Sequence, residues 1–150
     1  MAGIEDLELE VDKPSRMIVL HPATNLPMKT KDTVGEDGQP IEGRVAYVDV
    51  YSSDSQTAVK LRQEIKTARL RQRNPNAMTG AKLESEGVEL LAALTAGWFL
   101  VSLSGDPVDL EFSRENARKL YANHKMAWLY EQVDAHAGAR GNFSKASSPS

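Results

Sequence analysis

Hydrophobic and polar residues alternate in two stretches of the N-terminal third, and this period-2 pattern predicts half-buried β-strands. With a short β candidate between these two, the three predicted strands are residues 7–12, 16–20 and 44–51. In the third, the even-numbered positions from 46 to 50 are Ala or Val, so we expect a well-defined strand with two unlike faces. Residues 21–43 are rich in Pro, Thr, Asn, Asp and Gly, which predicts a hairpin-like excursion without a long regular element.

The pattern then changes to helical spacing. Residues 53–55 are Ser-Asp-Ser, and each can accept the first backbone N–H groups of a helix. Apolar side chains recur every three or four residues to about residue 73, and Asn74-Pro75-Asn76 should end this helix because proline cannot continue its hydrogen bonds. A second helix is predicted over about residues 81–96, and it leads the chain to Trp98.

Two shorter helices are predicted after a polar turn at residues 104–107. Ser113 can cap a helix that runs to about residue 123, and apolar spacing predicts another over residues 126–137. We expect both to pack on the second helix. From residue 138 onward the composition is typical of a flexible tail, so we expect order there to need a partner.

Strands followed by helices predict an α+β fold with antiparallel strands rather than alternating βαβ units. We expect a strand-rich N-terminal part over residues 1–52 and a helical part of about four helices over residues 53–137. The two parts should pack together as one compact domain, because 150 residues suffice for a single core. Residues 138–150 form the predicted tail.

Composition and charge limit the classes of function. The chain is 41% hydrophobic and 26% charged, which is ordinary for a globular protein. Its formal net charge of -3 disfavours a surface built throughout for nucleic acid or anionic lipid. The sequence has no cysteine for disulfide or thiolate chemistry, and no apolar run of about 20 residues that could cross a membrane. We therefore expect a cytoplasmic protein without a membrane partner.

The residue types and spacings of familiar catalytic or metal sites are not found. His21, His124 and His136 lie in different predicted elements, and their spacing is not that of metal ligands. The carboxylates of residues 8–12 would share a strand face, and a solvated face explains them better than a cation site. The serines of residues 52–55 lack a nucleophile motif or a partner histidine. We therefore predict a protein that is not an enzyme and that has no metal and no cofactor.

The first predicted helix has a basic face. Glu64 is its one carboxylate, and its cations are Lys60, Arg62, Lys66, Arg69, Arg71 and Arg73. Three explanations fit this basic face: an ordinary solvated surface, a dock for acidic side chains of the second helix, or a surface that neutralises nucleic-acid phosphates. The acidic side chains are Glu84, Glu86 and Glu89. The helix lacks aromatic residues that could stack on bases, which disfavours the third explanation.

Aromatic residues of the C-terminal half are candidates both for the core and for a hydrophobic surface that binds a partner. The candidates for partner binding are Trp98, Phe99, Trp128, Tyr130 and Phe143. From the sequence alone, both roles stay open for these side chains.

A set of short motifs occurs together between residues 90 and 143. They are the Gly97-Trp98 step, the turn at Gly105, Phe112-Ser113, Glu115-Asn116-Ala117, the segment 128–133 and Gly141-Asn142-Phe143. Together these motifs resemble the C-terminal part of tail assembly chaperones from long-tailed bacteriophages. The chain differs from the smallest of these chaperones in its strand-rich first 50 residues.

The resemblance implies a function without catalysis, in the cytoplasm of the bacterial host. Such chaperones bind the long helical tape measure protein, keep its apolar stripe soluble and help to recruit tail tube subunits. The resemblance therefore implies the tape measure protein as a partner, with the tail tube protein as a second one, and leaves homo-oligomerisation open. Recognition would place amphipathic helices on a groove or surface, with many copies bound along one partner.

Two other functions are compatible with the sequence. A structural component of the virion, such as a minor tail or head-completion protein, would use strand edges as contact surfaces and stay in the particle. A nucleic-acid-binding regulator would use the basic helix at residues 58–73. The motifs of residues 90–143 favour the chaperone over both.

Overall fold

The computed structural model describes residues 2–71 and 80–144, and it confirms the α+β prediction. The strands and α-helices within these residues are β1 (Ser15–Ile18), β2 (Thr33–Val34), β3 (Pro40–Ile41), β4 (Tyr47–Val50), α1 (Gln56–Leu70), α2 (Gly80–Leu94), β5 (Thr95–Phe99), α3 (Arg114–Ala122) and α4 (Ala127–Gly138). Short 3-10 helices span Ile4–Leu7, His124–Met126 and Arg140–Phe143.

Strands β1, β4 and β5 form an antiparallel sheet with β4 in the centre. Val48 of β4 lies opposite Met17 and Trp98, and Val48 and Val50 are fully buried. These residues belong to one core that also contains buried side chains of α2, α3 and α4. Tyr47, on the other face of the sheet, is half-buried. The alternation predicted for this strand is therefore confirmed.

The strand predicted over residues 7–12 is absent, so this prediction is wrong. The chain forms the 3-10 helix Ile4–Leu7, in which Leu7 is exposed, and then an irregular segment. Alternation is not sufficient for a strand, because the backbone also needs a neighbouring strand to bond to. Here the N–H of Glu10 donates to the carbonyl of Phe143 instead, at 2.7 Å.

Strands β2 and β3 form a separate two-stranded hairpin in the segment between β1 and β4. Gly38 adopts a φ of 78° in this hairpin, a conformation that favours glycine. Met28 joins the excursion to the rest of the protein, because its N–H donates to the carbonyl of Val19 and its carbonyl accepts the N–H of Ala46. The predicted hairpin-like excursion is confirmed.

Helix α1 begins where the sequence predicts. Ser55 is its N-cap, and Ser55 Oγ accepts the N–H of Ala58 at 3.3 Å. Ala58 is the one buried residue of α1, which packs on α2 and is otherwise largely exposed. The stop predicted at Asn74-Pro75-Asn76 lies outside the described residues.

The second helix ends earlier than predicted, because residues 95–99 form strand β5. Strand β5 pairs with one edge of β4. Thr95 Oγ1 also donates to the carbonyl of Leu91 at 2.9 Å and lies 2.7 Å from the hydroxyl of Tyr121. The edge of β4 is distant in sequence, so helical spacing could not reveal this pairing. One strand of the sheet therefore lies between helices rather than before them.

The turn and the two helices predicted after β5 are confirmed. Gly105 adopts a φ of 95° in the turn. Ser113 is the N-cap of α3, and its Oγ accepts the N–H of Asn116 at 3.0 Å. Helices α3 and α4 both pack on α2, and Leu129 and Val133 of α4 are buried in the core.

The segment after α4 packs back on the protein. Phe143 is 2% exposed, and its ring contacts that of His136 edge-on with centroids 6.0 Å apart. Arg140 pairs with Asp54, with Nε 2.7 Å from Oδ2. The expectation that order after residue 138 needs a partner is therefore wrong for residues 139–144. Residues 145–150 lie outside the described residues.

Candidate partner-binding groove

An apolar groove lies between the segment that follows β5 and the junction of α3 with α4. On one side, residues 100–110 fold into an irregular hairpin in which Val101 pairs with Pro107. On the other side, the 3-10 helix His124–Met126 joins α3 to α4. The cavity between them has a volume of about 290 Å³.

The side chains that line this groove are mostly apolar, and Lys125 is among them. Leu103 and Val108 of the hairpin are 59% and 41% exposed. Across from them lie Met126 and Trp128, which are half-buried. Exposed aliphatic side chains grouped around a cavity are typical of a binding surface, so this groove is the candidate site.

Hydrogen bonds hold the outer wall of the groove in place. Ser102 Oγ accepts the N–H of Asp106 at 3.0 Å, and the N–H of Ser102 donates to the carbonyl of Asp106 at 2.8 Å. The carbonyl of Gly105 accepts the N–H of Lys31 at 3.1 Å, which ties this turn to the excursion between β1 and β4. A braced turn therefore presents Leu103 to the solvent.

Trp98 supports the groove from the core side. Its indole Nε1–H donates to the carbonyl of Leu110 at 2.9 Å, and the ring of Phe112 packs against the indole edge-on with centroids 5.0 Å apart. Leu110 lines the groove, whereas Trp98 does not. Trp98 therefore acts through Leu110, and Trp128 lines the groove directly.

The other three aromatic candidates lie elsewhere. Phe99 is paired with Tyr47 and is half-buried, and it packs partly against the core. Tyr130 is half-buried, with its ring edge-on to Tyr121 and centroids 6.1 Å apart. Phe143 is buried in the protein itself. The structure thus places Trp128 in the groove and Trp98 behind Leu110, and it separates the remaining candidates from the groove.

The basic face of α1 is accessible to solvent. Its exposed cations are Lys60, Arg62, Lys66, Arg69 and Arg71. Arg73, the sixth cation of the predicted face, lies outside the described residues. The described part of the helix contains no aromatic side chain, so no ring there could stack on a base.

The acidic side chains of α2 have different partners from one another. Glu86 forms an ion pair with Arg69 of α1, as the docking hypothesis predicts. Glu89 instead binds Arg118 of α3 at 2.7 Å and Arg114 at 3.1 Å. The hydrogen bond from Arg118 is the main reason why the pKa of Glu89 lies below its ordinary value. Ion pairs of α2 therefore connect it to both neighbouring helices.

The serines near β4 have structural roles. Ser52 Oγ accepts the N–H of Asp54 at 3.0 Å, and Ser55 caps α1. In the core, burial raises the pKa of Tyr121 to about 12, although its hydrogen bond with Thr95 opposes this shift. Residues 2–71 and 80–144 contain no group of three or more His, Asp or Glu side chains placed to bind a metal ion.

Sequence reasoning missed the groove because its walls come from segments far apart in the chain. One local signal was available, since Leu103 and Val108 are aliphatic residues that flank a polar turn with Gly105. Only the tertiary structure places Leu103 and Val108 in the same groove as Met126 and Trp128.

Comparisons with protein-family models, with curated proteins and with solved structures find no match. The resemblance to tail assembly chaperones therefore stays a prediction from motifs. Among the described helices, none has both the length and the apolar character needed to cross a bilayer.

Proposed function

We propose that this protein is a non-enzymatic tail assembly chaperone, and that its groove binds apolar side chains of the phage tape measure protein. The observation that supports this most directly is the exposure of Leu103 and Val108 beside a preformed apolar cavity lined by Trp128. The motifs of residues 90–143 favour the same class of function.

The groove suits an amphipathic helix as its ligand. A cavity of about 290 Å³ has room for roughly one or two aliphatic anchor side chains, and such anchors dominate the binding of helices in apolar grooves. Lys125 provides a cation for a carboxylate on the polar face of the bound helix. One copy covers a short segment, so a long helical partner requires many copies.

Co-expression with the tape measure protein tests this proposal. We expect the tape measure protein to stay soluble and to co-purify with the wild-type chain. Leu103→Ser and Val108→Ser should each weaken the complex about tenfold, because each removes apolar contact area at a partly exposed position. Leu70→Ser is the matched control, since Leu70 is 78% exposed on α1 and does not line the groove.

Two outcomes contradict the proposal. If the tape measure protein aggregates regardless while this protein is found in mature particles, the chain is a structural component of the virion. If Leu70→Ser weakens the complex as much as Leu103→Ser does, the groove is not the binding surface. Circular dichroism of each variant separates lost binding from lost folding.

A further inference from the structure

The outer face of the three-stranded sheet presents two aromatic rings, and an arginine lies over each. Tyr47 and Phe99 are opposite each other on β4 and β5, with ring centroids 6.3 Å apart. Arg16 Cζ lies 3.6 Å from the centroid of Tyr47, and Arg44 Cζ lies 3.9 Å from the centroid of Phe99. We call these four side chains the aromatic–arginine platform.

The platform lies on the face of the sheet opposite to Val48 and Trp98, and Phe99 also packs partly against the core. Val48, the neighbour of Tyr47 in β4, points to the opposite face and is fully buried. Ile18, which is paired with Tyr47, is 41% exposed. Arg16 and Arg44 are exposed, and Tyr47 and Phe99 beneath them are half-buried. The platform is therefore accessible from solvent.

The two arginines differ in what they can offer to a ligand. Asp49 accepts hydrogen bonds from Arg16, with Nε to Oδ1 at 3.0 Å and Nη2 to Oδ2 at 3.3 Å. These bonds use two of the five N–H donors of Arg16, those on its Nε/Nη2 edge. Arg44 forms no ion pair within residues 2–71 and 80–144, so its N–H groups can bind an anion such as a phosphate.

We propose that the aromatic–arginine platform binds single-stranded nucleic acid. Unpaired bases stack on arginine planes as well as on aromatic rings. The platform places two guanidinium groups side by side, each backed by a ring, and the N–H groups of Arg44 are open to the phosphate backbone. An acidic peptide would pair its carboxylates with N–H groups and would leave the two guanidinium planes unused, and the Nε/Nη2 edge of Arg16 is already bound to Asp49. The proposal is independent of the groove and of the tape measure protein.

Fluorescence anisotropy with labelled single-stranded DNA and RNA of about ten nucleotides tests the proposal. We expect the full chain to bind more weakly at about 200 mM than at about 50 mM salt. Phe99→Leu and Tyr47→Leu should each weaken binding at least about fivefold, because each removes the ring that backs a guanidinium group. Phe99→Tyr keeps the ring and should bind like the wild type. Arg44→Gln should weaken binding and reduce its salt dependence.

The control is Lys119→Gln, which removes an exposed cation from α3 and should leave binding unchanged. The proposal is wrong if the wild-type chain binds no oligonucleotide, or if Phe99→Leu and Phe99→Tyr bind equally well. It is also wrong if a duplex or a polyglutamate peptide binds as tightly as the single strand. If Lys66→Gln removes binding while the platform variants keep it, the basic helix is the site instead.

Discussion

His136 connects helix α4 to strand β1 and to the segment that follows α4. Its Nε2 lies 3.0 Å from Ser15 Oγ on β1, and Asn142 Nδ2 donates to its Nδ1 at 3.2 Å and to its carbonyl at 3.1 Å. This arrangement suits a neutral imidazole in which Nδ1 accepts and Nε2–H donates. Burial lowers the pKa of His136, because the charged form is less well solvated there.

This lowered pKa predicts a loss of stability in mild acid. Below about pH 6.5 the unfolded chain takes up a proton on this histidine, whereas the folded chain does so only at lower pH. The unfolded state then binds more protons, so the free energy of unfolding falls between these two pKa values. Thermal unfolding at about pH 7 and about pH 5 should show this fall in the wild type and much less of it in His136→Gln. An equal fall in both proteins would contradict the assignment.

At the scale of elements, caps and ion pairs position the helices. Ser113 begins α3, and Asn116 Nδ2 also donates to the carbonyl of Glu111 at 2.9 Å, which holds the chain that enters the helix. Ala117 and Tyr121 then face the core, so the start of α3 determines which of its side chains are buried. The exposed ion pairs of Glu89 contribute less, because solvent screens them.

We expect Ser113→Ala to lower the free energy of unfolding by about 1 kcal/mol, since it removes the acceptor for a helix N-terminal N–H. Urea denaturation measures the change. Ser85→Ala is the matched control, because Ser85 is exposed on α2 and its replacement should leave stability nearly unchanged. Equal stability of Ser113→Ala and the wild type would mean that water replaces the cap without cost.

At the scale of the whole molecule, the segment after α4 completes the fold. The carbonyl of Phe143 accepts the N–H of Glu10, and the Phe143 ring is buried. Arg140 pairs with Asp54, which lies just before α1. The N–H of Ser53 also donates to the carbonyl of Ala137 at 2.9 Å. These contacts join the end of α4 and the segment after it to the part of the chain that precedes α1.

Phe143→Ala should therefore lower the free energy of unfolding by about 3–5 kcal/mol, because it leaves a cavity where a buried ring was. Chemical denaturation monitored by circular dichroism measures the loss. Leu7→Ala is the control, since Leu7 is exposed and should change stability by less than about 0.5 kcal/mol. A similarly small effect of Phe143→Ala would support the flexible tail expected from composition.

Features that depend on near neighbours could be predicted from the sequence. Ser55 and Ser113 start their helices where expected, because a cap bonds to an N–H only three residues away. The buried side of β4 was also predictable, because successive side chains of a strand point to opposite faces whatever lies around it. The α+β class follows from the order of these elements.

Features that depend on distant partners were decided by the tertiary structure. Residues 7–12 alternate like a strand but have no strand beside them, whereas residues 95 and 96, predicted as the end of a helix, begin a strand that pairs with β4. Phe143 follows a composition typical of a tail and is nevertheless buried. The groove and the aromatic–arginine platform likewise join separate segments. Periodicity and caps describe local preference, while burial and strand pairing require groups that only the folded chain brings together.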